Sequence, residues 1–385
     1  MPDKAEFMSS HRPSDESSRN GPFAGADIVI ADTTSHYDGW YLETRPLGGT
    51  ESSVIRLSRE LARRGHNVTV FTNCDGPTEW QGVSWRSLKS PAPATCDLYI
   101  AVQHPRLLNF VRRPKRRALW VLWQPNHLKH YKHGWWRMWL YRPIPVLMSL
   151  HQVKLYSPTL PRRNPHAVIP LGLPEDVRGR PYLETPPPRR ALFASNPQRN
   201  LRALVEIWAR AILPRVPDAV LDVYGNNGLQ AGEDAWQKWE GDLLPAGLSP
   251  AVKASVQIHR SATRTELIEV MRRSRVMLYL GHKVEAFCLS VAEAQALGLP
   301  AVVAPVAAVP ERVLDGLTGY HHADPDRFAD AAVALLTDDE LWRRQHEAAL
   351  RYQQGISWPE YADRFEALLL SDMLPAKPLA LDPLP

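Results

Sequence analysis

Two glutamates, Glu285 and Glu293, stand eight residues apart in Glu285-Ala-Phe-Cys-Leu-Ser-Val-Ala-Glu293-Ala-Gln-Ala-Leu-Gly298-Leu-Pro. The first precedes a stretch of helical spacing over 289–297. The second lies inside it, and an apolar strand over 301–304 follows Gly298. Carboxylate oxygens accept hydrogen bonds from the hydroxyls of a sugar or a ribose diol. The N–H groups at the start of a helix, here Cys288 to Ser290, have no partner within it and suit a phosphate. Hydroxyl-binding carboxylates beside a phosphate-binding helix start match a ligand that carries both groups. The alternative is a solvated loop and helix face. Other reactive side chains fit less. Cys288 reads as a backbone contributor rather than a nucleophile. His127, His130 and His133 recur at helical spacing, but no acid or cysteine joins them as a metal set, and they read as a solvated or membrane-facing basic helix.

These groups need a scaffold, and the chain supplies two similar ones. A β-type run at 27–31 is followed by a long loop ending in Leu47-Gly48-Gly49-Thr50. A helix then places Val54, Leu57 and Leu61 on one face, with Ile55 and Ala62 beside them. Thr50 is its expected N-cap and Gly65 its stop. A strand at 68–72 completes a βαβ unit, which argues for a parallel sheet covered by helices. Further strands are expected at 98–102, 118–122, 145–148 and from 167. The segment 173–190, rich in proline and charge, reads as a linker. Beyond it lie strands at 190–194, 219–224 (closed by Gly225), 255–258, 276–280 and 301–304. Helices are expected at 201–213, 265–273, 289–297, 328–336, 339–354 and 358–370, with Asp338-Asp339 as a cap. In an open α/β sheet the ligand crevice faces the loops after the strands, which is where Glu285 falls.

The chain has 385 residues, more than one core usually serves, so two domains are expected. Hydrophobic residues make up 44% and charged ones 23%, which excludes a mostly disordered chain. The 35 prolines are scattered between apolar runs as loop punctuation. The net charge of +5 hides an asymmetry: 98–174 holds no Asp or Glu but 13 Lys or Arg and five tryptophans. Such a block implies an anionic partner. An anionic lipid surface, with Trp rings at the headgroup layer, is one such partner, and an anionic acceptor groove in the cleft is another. No nucleic-acid module is recognised. Three dispersed cysteines form neither a disulfide framework nor a CxxC site and fit a reducing cytoplasm. The first residues lack the apolar core of a signal peptide, and no run of about 18 apolar residues would span a membrane.

The Glu285-to-Glu293 segment resembles the Glu-x7-Glu signature of retaining glycosyltransferases of the GT-B fold, above all glycosyltransferase family 4. Four other segments resemble that family in the same order. They are Leu47-Gly-Gly-Thr-Glu51 with its helix and strand, Asn196-Pro-Gln-Arg199-Asn200, Val309-Pro-Glu-Arg-Val313 with Gly316 and Gly319, and Ile356-Ser-Trp358 with the last helix. The likeness covers roughly 27–370.

The resemblance implies two Rossmann-like domains with a cleft between them and a C-terminal helix crossing back to the first. The expected division is a tail at 1–22, an acceptor-side domain at 23–175, a nucleotide-sugar domain at 176–357, the returning helix at 358–372 and a tail at 373–385. It implies Glu285 on the transferred sugar and Glu293 on the ribose. Phe287, Cys288 and Leu289 would contact sugar and diphosphate, and Arg199 would neutralise the leaving diphosphate. Gly48 and Gly49 would let backbone approach that group, with Asn200 and Gly225 beside the donor. An arginine common about five residues before the Arg199 position is replaced by Ala194 or Ser195, with Arg202 or Arg189 as substitutes. On the acceptor side Gln124 and His127 stand where a histidine is expected after the strand, His127 displaced by three or four residues. The expected activity is sugar transfer from a nucleotide-sugar to a glycan, lipid-linked or surface-polysaccharide acceptor. No cofactor and no essential metal are expected, and the location is cytoplasmic, peripheral to an anionic membrane. Other readings are a catalytically silent nucleotide-sugar-binding scaffold and, within the fold, an epimerase or phosphorylase.

Overall fold

The computed structural model describes residues 25–44, 47–130, 134–161, 167–225, 244–259 and 262–370. The expected tails at 1–22 and 373–385, and His133, lie outside them.

Both halves of the chain grow from a short apolar strand buried at the centre of a sheet. In the first half β1 (Asp27–Ala31), α1 (Gly49–Arg63) and β2 (Asn67–Thr72) form the expected βαβ unit, with Ile28 opposite Val68 in parallel register. β3 (Thr78–Trp80), β4 (Val83–Ser87), β5 (Thr95–Val102), β6 (Arg113–Trp120), α2 (Trp136–Tyr141), β7 (Ile144–Leu147), α3 (Leu150–Leu155) and β8 (Ala167–Val168) follow. The sheet order is β3-β4-β2-β1-β5-β6-β7-β8, parallel throughout except for β3 against β4.

α1 forms because Val54, Ile55, Leu57 and Leu61 share one face, and all four are fully buried. Its start differs from expectation. Gly48, in extended conformation (φ −66°, ψ 166°), is the N-cap, and Thr50 already lies in the first turn. The carboxylate of Glu51 fills the space over Gly48, where a Cβ would sit 2.6 Å from it. Gly65, at φ +88°, follows the helix as expected. The β3–β4 hairpin was not anticipated. Gln81 and Gly82 both have positive φ (50° and 77°), the pattern of a two-residue hairpin turn that keeps the strand twist.

β6 starts earlier than the expected 118, because backbone pairing with β5 holds the basic run as well as the apolar one. Lys115 lies 2.6 Å from Asp97 on β5, and the Arg117 guanidinium sits 4.6 Å from the Tyr141 ring centre. The fold thereby divides the acid-free segment. Arg113 and Trp120 stand at opposite ends of one strand, about 23 Å apart.

The second half contains β9 (Arg190–Ala194), α4 (Leu201–Ile207, continued as a π-helical turn to Ile212), β10 (Val220–Tyr224), α5 (Pro250–Ser255), β11 (Val256–His259), α6 (Arg264–Arg273), β12 (Val276–Tyr279), α7 (Leu289–Ala296), β13 (Ala301–Val303) and β14 (Gly319–His321). α8 (Pro325–Thr337), α9 (Asp339–Tyr352) and α10 (Trp358–Leu370) end the described chain. Asp338 caps α9, accepting from the N–H groups of Glu340 and Leu341. The all-parallel order β11-β10-β9-β12-β13-β14 is the doubly wound Rossmann arrangement.

α10 crosses back to the first sheet. Tyr361 and Phe365 pack on the buried Trp120, with ring centres 6.0 and 5.2 Å away. Arg64, just after α1, reaches Asp363 (2.5 Å), Glu366 (2.7 Å) and the Pro359 carbonyl (2.6 Å), and His66 meets Glu366 at 2.8 Å. Among the described residues no helix is long and apolar enough to cross a membrane.

Candidate active site

Each sheet reverses its strand order once, between β1 and β5 in the first and between β9 and β12 in the second. Such reversals open a crevice at the carboxyl ends of the strands. The loops at these two points face each other across a cleft of about 1990 Å³.

On the second wall the loop after β12 carries Glu285 into the cleft. Its side chain is buried, and Oε1 accepts from the Tyr279 hydroxyl at 2.5 Å. The Nε of Arg199, in the loop after β9, lies 3.3 Å from the same oxygen. The two strands that flank the reversal therefore deliver a carboxylate and its cation to one point. Burial pushes the Tyr279 hydroxyl far above its ordinary pKa, so it remains a donor.

Cys288 is the N-cap of α7 in the left-handed region (φ 69°), and Leu289 and Ser290 turn the free start of that helix to the cleft. Burial, then the neighbouring Glu285, pushes the Cys288 thiol up to about 12. A thiol so held stays protonated, in keeping with a backbone role. Phe287 lines the cleft with the Arg312 guanidinium 4.2 Å from its ring centre.

Glu293 faces the same space from within α7. Burial raises its pKa, and Arg264 at 3.0 Å works against that shift. Arg264 is itself gripped by Asp176, through two bonds of 2.6 and 2.7 Å.

Of the other donor-side candidates, Gly49 lines the cleft, and a Cβ there would meet nothing within 4 Å. Gly225 lines it at the end of β10. Gly48 and Asn200 are not among the lining residues. Gly48 makes room for Glu51, as described. Asn200, at φ 67°, donates to the Gly281 carbonyl at 2.6 Å and so ties the loop after β9 to the loop after β12. Neither expected substitute for the missing arginine reaches the cleft: Arg189 pairs with Asp218, and Arg202 with Glu206 one turn along α4.

On the first wall Gln124 and His127 both line the cleft, in different capacities from those expected. The Gln124 amide donates across the cleft to the carbonyls of Glu285 (2.8 Å) and Lys283 (3.4 Å). His127 turns inward: Nδ1 meets the Gln124 carbonyl at 2.7 Å, and Nε2 meets Gln103. It sits in a 3₁₀ turn (Pro125–Lys129) rather than in a longer basic helix. Gln103, buried with φ 64°, accepts from Leu122 and Trp123 N–H groups and sets the loop after β6. A second strut joins the walls, where Glu311 accepts from the N–H groups of Leu150 and His151 at the start of α3 (3.1 and 2.7 Å).

Sequence reasoning missed Tyr279, Arg264, Asp176 and Arg56. Arg56 had a signal, since Gly49, Ser52, Ser53 and Arg56 follow the i, i+3, i+4, i+7 pattern of one helix face and all line the cleft. Asp176 and Arg264 lie 88 residues apart and had none. Among the described residues no group of three or more His, Cys, Asp or Glu gathers where a metal ion could be held.

Comparison with known proteins agrees with this geometry. A family model described as glycosyltransferase family 4 matches residues 47–169, and one described as glycosyl transferases group 1 matches 189–338. The D-inositol 3-phosphate glycosyltransferase of Corynebacterium glutamicum is 27% identical over 237 residues, 58% of this chain and 51% of that protein. The match thus spans about half the length of that curated relative. The lipopolysaccharide 1,2-N-acetylglucosaminetransferase of Salmonella typhimurium is 35% identical over 85 residues, 21% of this chain and 22% of that one. Among solved structures, sucrose-phosphate synthase from Thermosynechococcus elongatus superposes with a TM-score of 0.65 at 15% identity, covering 89% of this chain and 98% of that one. Anabaena HepE, solved with UDP-glucose, gives 0.62 at 14% identity over 89% and 99%. The two family matches, in the order and positions of the two facing sheets, place the chain in glycosyltransferase family 4, with the GT-B fold.

Proposed function

We propose that the chain is a retaining glycosyltransferase that moves a sugar from a nucleotide-sugar to a glycan, lipid-linked or other surface-polysaccharide acceptor. The observation that carries this reading is the convergence of Glu285, Arg199 and the free start of α7 at the reversal of the second sheet, with Glu293 one turn further on. Breaking a sugar–phosphate bond builds positive charge on the ring and negative charge on the departing diphosphate. Arg199 and the α7 N–H groups are placed to meet the latter, and the Glu285 carboxylate lies beside the former. The positive charge comes from the protein, so the scheme calls for no essential metal. Glu293 accepts from the ribose hydroxyls, and Gly49 admits the diphosphate from the opposite wall.

The acceptor enters from the first wall. Around α2 the side chains of Trp135, Trp136, Trp139 and Leu140 are exposed beside Arg137 and Arg142. Aromatic rings beside guanidinium groups suit an anionic lipid surface, so a lipid-linked acceptor would be met there, on the cytoplasmic face. Trp136→Ser with Trp139→Ser should weaken binding to anionic vesicles, and salt should weaken it further. Indifference to both removes the membrane from this reading.

Activity is tested by nucleoside diphosphate release and sugar transfer, with the donor chosen by which UDP-, GDP- or ADP-sugar raises the melting temperature. Glu285→Ala should lose most turnover, and full turnover in that variant sinks the site assignment. Donor binding with no release by the wild type favours the silent scaffold instead.

A further inference from the structure

The cations around the two glutamates are nearly all committed. Arg199 lies against Glu285, and Arg264 is shared by Asp176 and Glu293. Three carboxylates thus hold two guanidinium groups at the two glutamates, while Lys283, on the loop that carries Glu285, also lines the cleft. A phosphate group entering between the two glutamates meets guanidinium groups already engaged by carboxylates, with the N–H groups of α7 as free donors beside them.

Arg56 supplies a guanidinium that no carboxylate engages. It lies on the cleft face of α1, on the opposite wall, half-buried. Among the described residues it has no hydrogen bond and no carboxylate within ion-pair distance. Arg264 repels it, and Glu293 exerts the strongest attraction on it, then Asp176. Burial and Arg264 both push its pKa down, the mark of a guanidinium that has lost water without gaining a partner. Five N–H donors in a planar fork match two phosphate oxygens better than any other group available in a nucleotide.

Resting on the nucleotide-sugar reading, we propose that Arg56 binds the phosphate nearest the ribose of the donor, reaching it from the first wall. The placement follows from its neighbours. Arg199 stands beside Glu285, the carboxylate assigned to the sugar, and Arg56 feels Glu293, the carboxylate assigned to the ribose, more strongly than any other carboxylate. The two arginines then mark the two phosphates of one extended ligand, one from each wall. The donor itself then bridges the two walls.

The test is a binding ladder by calorimetry on the full chain: a nucleoside, its monophosphate and its diphosphate, with the base chosen as above. Arg56→Gln should bind the nucleoside as the wild type does. It should lose about tenfold to a hundredfold at the monophosphate, the usual worth of a charge-assisted hydrogen bond, and lose nothing more at the diphosphate. Arg199→Gln should show its loss only between monophosphate and diphosphate. Arg56→Lys should recover part of the affinity, since it keeps the charge and loses the fork. An equal loss at the nucleoside would make Arg56 a support for the Glu293 pocket and overturn the proposal, as would an unchanged ladder. A wild type that binds none of the three overturns the donor reading, and this inference with it.

Discussion

The two walls of the cleft each form at a reversal of strand order and differ in how their polar groups are engaged. On the second wall carboxylates and guanidinium groups answer one another: Glu285 with Arg199 and Tyr279, Glu293 with Arg264 and Asp176. On the first wall the polar groups mostly hold up their own loops. Gln103 props Leu122 and Trp123, and His127 closes back on Gln103 and Gln124. Preorganised charge costs little rearrangement when charge develops, which is what bond cleavage at the donor requires. Arg56 apart, a wall of self-bonded loops has few fixed charges to offer, and its chemistry is set by whichever acceptor it receives. The contrast predicts that polar substitutions on the second wall cost catalysis, whereas those on the first, Arg56 apart, cost geometry.

The largest break in that contrast comes from Glu285→Gln. The amide keeps the shape and loses the charge, so the turnover rate should fall by about 10²–10³ while the fold persists. Transfer and hydrolysis assays with circular dichroism check both halves of that statement. A loss of rate below threefold would mean that the second wall is no more committed than the first.

Next in size is the joint between α10 and the first wall. Glu366 is buried and bonds both Arg64 and His66. Glu366→Ala removes two charge-assisted bonds and leaves His66 without its partner, although Arg64 keeps Glu60 and Asp363. A loss of about 2–3 kcal/mol in urea unfolding is expected. The effect should be on stability, with the residual activity per folded molecule unchanged.

A smaller effect distinguishes struts from catalytic groups. Gln124→Ala deletes one amide that donates to two carbonyls on the Glu285 loop. A neutral hydrogen bond is worth about 0.5–1.5 kcal/mol, so kcat/KM should fall by about threefold to tenfold. His127→Ala, which removes bonds to Gln103 and Gln124 of its own wall, should change less. A larger loss for His127 than for Gln124 would return the histidine to the acceptor-side role expected from sequence.

What the sequence made legible follows from range. The βαβ units, the helix before Gly298 and the placement of Glu285 and Glu293 rest on local periodicity, and those elements stand where expected. The N-cap of α1 was misplaced because Gly48 is required by Glu51, a side-chain contact that propensity does not see. The β3–β4 hairpin hid in three-residue and five-residue strands, although Gln81-Gly82 between Trp80 and Val83 was a readable turn. The motif states where Asn200 stands and not where its side chain turns, which is to the Gly281 carbonyl. The Asp176–Arg264 pair and the Gln124 strut join segments 88 and 161 residues apart, beyond any local pattern. The acid-free segment was read as one block, and a single strand, β6, carries its basic run and its Trp120 to opposite ends.

The last effect vanishes at neutral pH and grows on acidification, and it sharpens the contrast from behind the second wall. His346, buried on α9, has Nδ1 2.6 Å from the Gly298 carbonyl, and its Nε2 accepts from the Leu183 N–H at 2.9 Å. That pattern fits only the neutral ring, because a second proton on Nε2 would face the N–H of Leu183. Burial accordingly lowers the pKa of His346 in the folded chain. The unfolded chain takes up this proton near pH 6.5 and the folded chain only below it. Stability from this group is therefore complete above about pH 6.5 and is lost as the pH falls toward the folded value, by at most about 1.4 kcal/mol per pH unit. Glu293 opposes the trend, since its raised pKa lets the folded state bind a proton first, whereas Asp176 and Asp222 titrate below the ordinary aspartate range and leave the window untouched. Urea unfolding at pH 7.0, 6.0 and 5.0 for the wild type and His346→Gln isolates the histidine as a difference. The wild type should lose more stability than the variant on going from pH 7.0 to 5.0. Parallel pH profiles would show that the His346 contacts to Gly298 and Leu183 tolerate protonation, and that the rigidity of the second wall does not depend on them.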